Sequence, residues 1–128
     1  MLFQSNAVLE MIRLADHADR IVATLSHGQR QWVEIGMVLA AEPELILLDE
    51  PAAGMNPAET RSLMQLIQDI RGRDVTVLLI EHHMRVVMGI SDRIAVLVYG
   101  QKIAEGAPEE IRNHPKVIEA YLGQEQID

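Results

Sequence analysis

A chain of 128 residues with 48% apolar residues has room for one domain and enough apolar matter for a core, which excludes a disordered tail. Nineteen acids against eleven bases leave a net charge of −8, against a generic nucleic-acid partner; the absence of cysteine excludes disulfides, thiolate nucleophiles and cysteine-ligated metals. No apolar run approaches the roughly 20 residues that span a bilayer, and no basic stretch followed by an apolar one marks a signal peptide, so a soluble cytoplasmic α/β domain is expected. Along the chain, Trp32, Ile35, Gly36 and Leu39 recur at i, i+3, i+4 and i+7, which predicts a helix over 28–41. The apolar run Leu45–Leu48 ends in Asp49-Glu50 and does not alternate with polar residues, as in a strand buried on both faces of a parallel sheet. Leu63, Leu66, Ile67 and Ile70 predict a second helix over 57–71, with Asn56 as cap, Pro57 at its first position and Glu59 where a capping box wants a carboxylate. Val75–Ile80 repeats the buried-strand pattern and ends in Glu81-His82-His83, followed by a short helix over His83–Gly89. A third strand over Arg93–Tyr99 turns tightly through Gly100-Gln101 into Lys102–Glu105, a hairpin, and Pro108–Leu122 reads as two small helices. Strands alternating with helices argue for a mostly parallel sheet flanked by helices.

The chemistry-bearing residues gather at the ends of these elements. Asp49 and Glu50 stand at the C-terminal end of a parallel strand, where open α/β sheets place ligands. Carboxylates there can hold a hydrated magnesium ion or activate a water, although an acidic turn also simply ends a strand in solvent. His82, at the equivalent end of the next strand, can hydrogen-bond a phosphate oxygen or be an ordinary exposed histidine. Metal binding by His82 and His83 is not expected, because adjacent side chains on one segment diverge. Leu25-Ser26-His27-Gly28-Gln29 immediately precedes a helix, so Ser26 suits its cap and the free N–H groups of the next turn can receive an anion. Gly54 permits a turn before the Asn56 cap.

The order and spacing of these segments resemble those of ATP-binding-cassette (ABC) ATPases. Leu25–Gln29 is similar to their signature motif, Leu45–Asp49 with Glu50 to the Walker B strand and catalytic glutamate, Pro51–Pro57 to the D-loop, and Ile80-Glu81-His82 to the switch-histidine segment. Glu50–Pro57, Ile80–Met88 and Pro108–Gly123 further resemble the ATPases of branched-chain amino acid importers. The resemblance implies a P-loop NTPase-like α/β fold and divides the chain into three parts. These are the end of a helical subdomain with the signature helix (1–41), a catalytic core (42–105) and C-terminal helices (106–128). It implies that Asp49 holds Mg²⁺, that Glu50 polarises the attacking water and that His82 contacts the γ-phosphate of ATP. Ser26, His27, Gly28 and Gln29 would contact ATP bound by the opposite subunit of a head-to-tail dimer, and Asn56 would communicate across it. Transmembrane permease subunits are the implied further partners, holding the ATPase on the inner face of the membrane. His27 and His83 depart from the family pattern, which carries glycine and aspartate at those positions.

No G-x-x-x-x-G-K-[ST] loop occurs in the 128 residues, nor an upstream Q-loop. The chain therefore resembles the C-terminal half of an ATPase of roughly 250 residues. Little or no ATP hydrolysis is expected of it alone. By the family's strand order the missing phosphate-loop strand lies between the second and third strands read here, so apolar edges are left open and a homo-oligomer is expected. The alternative is a non-catalytic module that self-associates or caps the ATP site of a full-length partner.

Overall fold

A computed structural model describes residues 27–122, which fall in two compact units divided between Ile80 and Glu81. In the first unit, helix α1 (His27–Leu39) leads to strand β1 (Leu45–Asp49), helix α2 (Pro57–Arg71) and strand β2 (Thr76–Ile80). β1 and β2 pair in parallel with Leu47 opposite Leu78, and the ladder is extended at both ends: the Thr76 N–H donates to the Glu44 carbonyl at 2.9 Å and the Glu50 N–H to the Ile80 carbonyl at 2.7 Å. The stripe Leu63, Leu66, Ile67 and Ile70 that marked α2 in the sequence is buried, and the helix packs on β2. Gly72 closes α2: its N–H donates to the Gln68 carbonyl at 3.0 Å, and the Arg73 N–H donates to the Ile70 carbonyl at 3.0 Å.

The expectation of strands buried on both faces fails here. Along β1, Ile46 and Leu48 are buried while Leu45 and Leu47 are exposed, and Leu78 and Ile80 of β2 share the exposed face. An unbroken apolar run reports the environment of a strand in a complete sheet, whereas among the described residues this ladder has two strands and one covered face. The parallel pairing itself is as the sequence suggested.

The second unit contains helix α3 (Met84–Ile90), strands β3 (Ile94–Val98) and β4 (Gln101–Gly106), helix α4 (Pro108–Arg112) and the short helix α5 (Pro115–Val117), which continues as a wider turn over Ile118–Leu122. β3 and β4 form an antiparallel ladder with an irregularity between Val96 and Leu97. The turn between them is Tyr99-Gly100, one residue earlier than the sequence suggested. Both residues have positive φ, 49° and 77°, the conformation that a two-residue hairpin needs to match strand twist. Val87, Ile94, Val96, Ala104, Ile111 and Val117 make the core of this unit, with Met88, Ile103 and Tyr121 packed against it. The Tyr121 hydroxyl donates to the Leu97 carbonyl at 2.6 Å, which ties the last turn to the hairpin. Glu105 accepts from Arg93 through one oxygen, at 2.7 and 3.0 Å, and from Lys102 through the other at 2.9 Å.

Candidate functional site

The sequence places a pair of carboxylates where β1 ends, and the backbone there is unusual. Asp49 is the last strand residue, opposite Ile80 of β2, and both it and Glu50 are exposed at the C-terminal rim of the parallel pair. Glu50 has φ of 48°, a left-handed conformation that costs a side-chain-bearing residue about 1–2 kcal/mol. The surroundings hold it there. Its N–H is bonded to Ile80, its carbonyl accepts from the Ala53 N–H at 3.2 Å, and Pro51 and Ala52 behind it are buried. Gly54, at φ 75°, completes the reversal that brings the chain to α2.

At the start of α2, the Asn56 side chain accepts from the Glu59 N–H at 2.8 Å, as a cap should. The Thr60 hydroxyl donates to the Asn56 carbonyl at 3.0 Å and so fastens the same turn. The reciprocal half of the expected capping box is replaced by another contact. The Glu59 side chain turns to Gly28 in the first turn of α1, and its carboxylate oxygen fills the space that a Cβ on Gly28 would need. Gly28 is buried and Glu59 half-buried. Gln29 follows on the same turn, half-buried. Ser26 and the side chain of His27 lie outside the described residues.

The second unit opens with Glu81, whose carboxylate accepts from the N–H groups of His82 at 3.1 Å and His83 at 3.4 Å. This folds the segment into a tight bend that leaves both imidazoles exposed. The His83 carbonyl then accepts from Val86 and Val87 at 3.1 Å each, starting α3.

Thus the first unit brings Gly28 and Asn56 into one connected group through Glu59, and Asp49 and Glu50 into another at the β1 rim. His82 belongs to the second unit. No cluster of three or more histidine or carboxylate side chains exists among the described residues. Asp49 and Glu50 nevertheless fit magnesium, which keeps most of its waters and typically takes one or two protein carboxylates beside substrate phosphates. The role of Glu59 is not readable from its place in a capping box. The available signal was the glycine at the start of α1, whose missing side chain leaves the space that Glu59 fills.

Sequence comparison gives two profile matches: one described as "ABC transporter" over residues 3–53 and one as "Branched-chain amino acid ATP-binding cassette transporter" over residues 101–126. The high-affinity branched-chain amino acid transport ATP-binding protein LivG of Salmonella typhimurium is 51% identical over 117 residues, covering 91% of this chain and 46% of LivG. BraF of Pseudomonas aeruginosa, described in the same terms, is 49% identical with the same coverage. Among solved structures, an ATP-binding cassette of an ABC transporter in its ADP conformation matches with a TM-score of 0.85 at 34% identity, over 94% of this chain and 49% of that one. A nucleotide-free cassette matches at 0.83 and 35% identity, over 92% and 48%. The chain spans about half the length of the curated relatives it matches.

Proposed function

Because the chain belongs to the ABC transporter ATP-binding proteins, close to LivG and BraF and about half their length, we propose that it supplies the signature, Walker B and switch-histidine half of the ATPase of a branched-chain amino acid importer. The observation that carries this reading is the carboxylate pair at the rim of a parallel ladder, with Glu50 held in a left-handed backbone by its bond to Ile80. Left-handed backbone also occurs at Glu42, Asp74 and Tyr99, so what distinguishes Glu50 is its place beside Asp49 at the strand rim. Costly conformations cluster at functional positions.

In this reading Asp49 would hold Mg²⁺ through its exposed carboxylate, and Glu50 would orient and polarise the water that attacks the γ-phosphate. Bound MgATP would supply the phosphoryl group and a cation to neutralise the charge that develops on it. His82 would donate to a γ-phosphate oxygen, on a bend set by the two N–H bonds to Glu81. Ser26, His27, Gly28 and Gln29 would present the first turn of α1 to ATP held by a second ATPase subunit, with Asn56 facing the same subunit. Helix-terminal N–H groups meet phosphate charge well. Permease subunits would hold the assembly at the membrane; no helix among the described residues is long and apolar enough to cross it.

The test pairs this chain with a separately expressed amino-terminal half bearing the phosphate-binding loop. In that pair Glu50→Gln should retain ATP binding and lose turnover by on the order of 100-fold or more, as expected for a group acting mainly in the transition state. Unchanged turnover in Glu50→Gln would remove Glu50 from the chemistry.

A second reading is favoured by the exposed apolar face of the β1–β2 ladder. There the 128-residue chain is a non-catalytic module that associates with itself or caps a full-length partner's ATP site. Turnover that reconstitution fails to restore would favour it.

A further inference from the structure

We propose that Glu59 is a positioning residue that couples the Asn56 loop to the first turn of α1, and that residue 28 is glycine to admit it. This inference rests on the reading of His27–Gln29 and Asn56 as the nucleotide-facing segments. It adds a mechanical link between them that neither motif contains.

Three observations on the first unit converge. The Glu59 N–H is the donor to the Asn56 side chain at 2.8 Å, so the Glu59 backbone is fixed by the loop residue itself. From that fixed backbone the side chain reaches α1: its oxygen occupies the place of a Gly28 Cβ, and its Cδ and Cγ lie 3.2 and 3.6 Å from that place. Gly28 is buried, so the carboxylate is part of what covers it. A negative group beside a helix N-terminus is favourable, because the unpaired N–H groups of the first turn carry partial positive charge. A side chain at 28 would expel the carboxylate, and the cost would be modest, since Glu59 is flexible at its far end. What would be lost is the register between the two segments. A displacement of Asn56 by a neighbouring subunit is passed through Glu59 to the α1 turn, and the reverse follows by the reciprocity of coupled sites.

The test is amide hydrogen exchange on the 128-residue chain, with no nucleotide present. Failure of this proposal is thereby separable from failure of the ATPase reading. Glu59→Ala should accelerate exchange at Gln31 and Trp32, among the first amides that can bond within α1, by roughly three-fold, the scale of a lost helix-terminus interaction. Amides in the β1–β2 ladder should be unaffected. Gly28→Ala should produce the same acceleration, and the double variant should exceed neither single one. Asn56→Ala should accelerate the same two amides in the wild-type background and not in Glu59→Ala. Glu59→Gln, which keeps the shape and removes the charge, should show a smaller effect than Glu59→Ala. Emission from Trp32, the chain's only tryptophan, gives an independent reading of α1 in each variant. Uniform acceleration across the first unit, multiplicative effects of Gly28→Ala and Glu59→Ala, or an unchanged α1 turn would each overturn the proposal.

Discussion

Glu50 is the residue where stability and proposed function pull apart. The left-handed backbone at φ 48° is a cost that glycine would not bear, while the carboxylate is the feature the chemistry needs. Glu50→Gly is therefore expected to raise the unfolding free energy, by about 1 kcal/mol or less once the extra freedom of the unfolded glycine is counted. Urea unfolding of the two proteins measures this; a loss of stability in Glu50→Gly would mean that the side chain is structurally engaged and the backbone strain negligible. The places of Asp49 and Glu50 at the end of β1 and of Asn56 at the cap of α2 were legible from their order in the chain. The strain at Glu50 was not, because positive φ at a non-glycine is imposed by the Ile80 carbonyl and the buried Pro51, both tertiary facts. Glu59 was misread for a similar reason. A capping box is a local pattern, and the Gly28 contact that displaces half of it joins residues far apart in sequence.

At the scale of elements, periodicity located α2 to the residue and the strands to within one residue at either end, since spacing at 3.6 and unbroken β-branched runs are properties of the chain itself. The β3–β4 turn was misplaced by one position because a tyrosine at positive φ gives no sequence signal, whereas the glycine beside it does. That hairpin also carries a titratable clamp. Hydrogen bonds from Lys102 and then Arg93, reinforced by their charges, hold the Glu105 carboxyl below its ordinary range. A carboxyl whose folded-state value is lowered contributes stability that is fully present above the unfolded-state value and is lost as pH falls through the folded-state value. Amide exchange in β3 and β4 should therefore accelerate as pH falls below the ordinary glutamate range, after correction for intrinsic rates, and Glu105→Gln should remove that acid-dependent part. Equal acid dependence in both proteins would show that the clamp contributes nothing measurable, as many exposed ion pairs do.

On the scale of the whole molecule, an apolar face has no cover among the described residues. Leu45, Leu47, Leu78 and Ile80 are 56, 59, 51 and 49% exposed on one side of a two-stranded parallel ladder. Covering them is worth about 3–6 kcal/mol per copy at the usual value for half-exposed aliphatic side chains. The isolated 128-residue chain is accordingly expected to sediment as a dimer or larger species at micromolar concentration, and Leu47→Glu with Leu78→Glu should shift it toward monomer. A monodisperse wild-type monomer would mean that the face is tolerated in water. In the matched cassettes this chain corresponds to about half of the structure. In the proposed function, Asp49 and Glu50 would form the acidic half of an ATP site that works only with a phosphate-binding loop supplied by another polypeptide. The most direct measurement is MgATP hydrolysis by the purified chain, alone and after reassembly with an amino-terminal half from a LivG-type relative. No turnover alone, and turnover on reassembly that Glu50→Gln abolishes, is the predicted result. Hydrolysis by the chain alone that Glu50→Gln abolishes would contradict it.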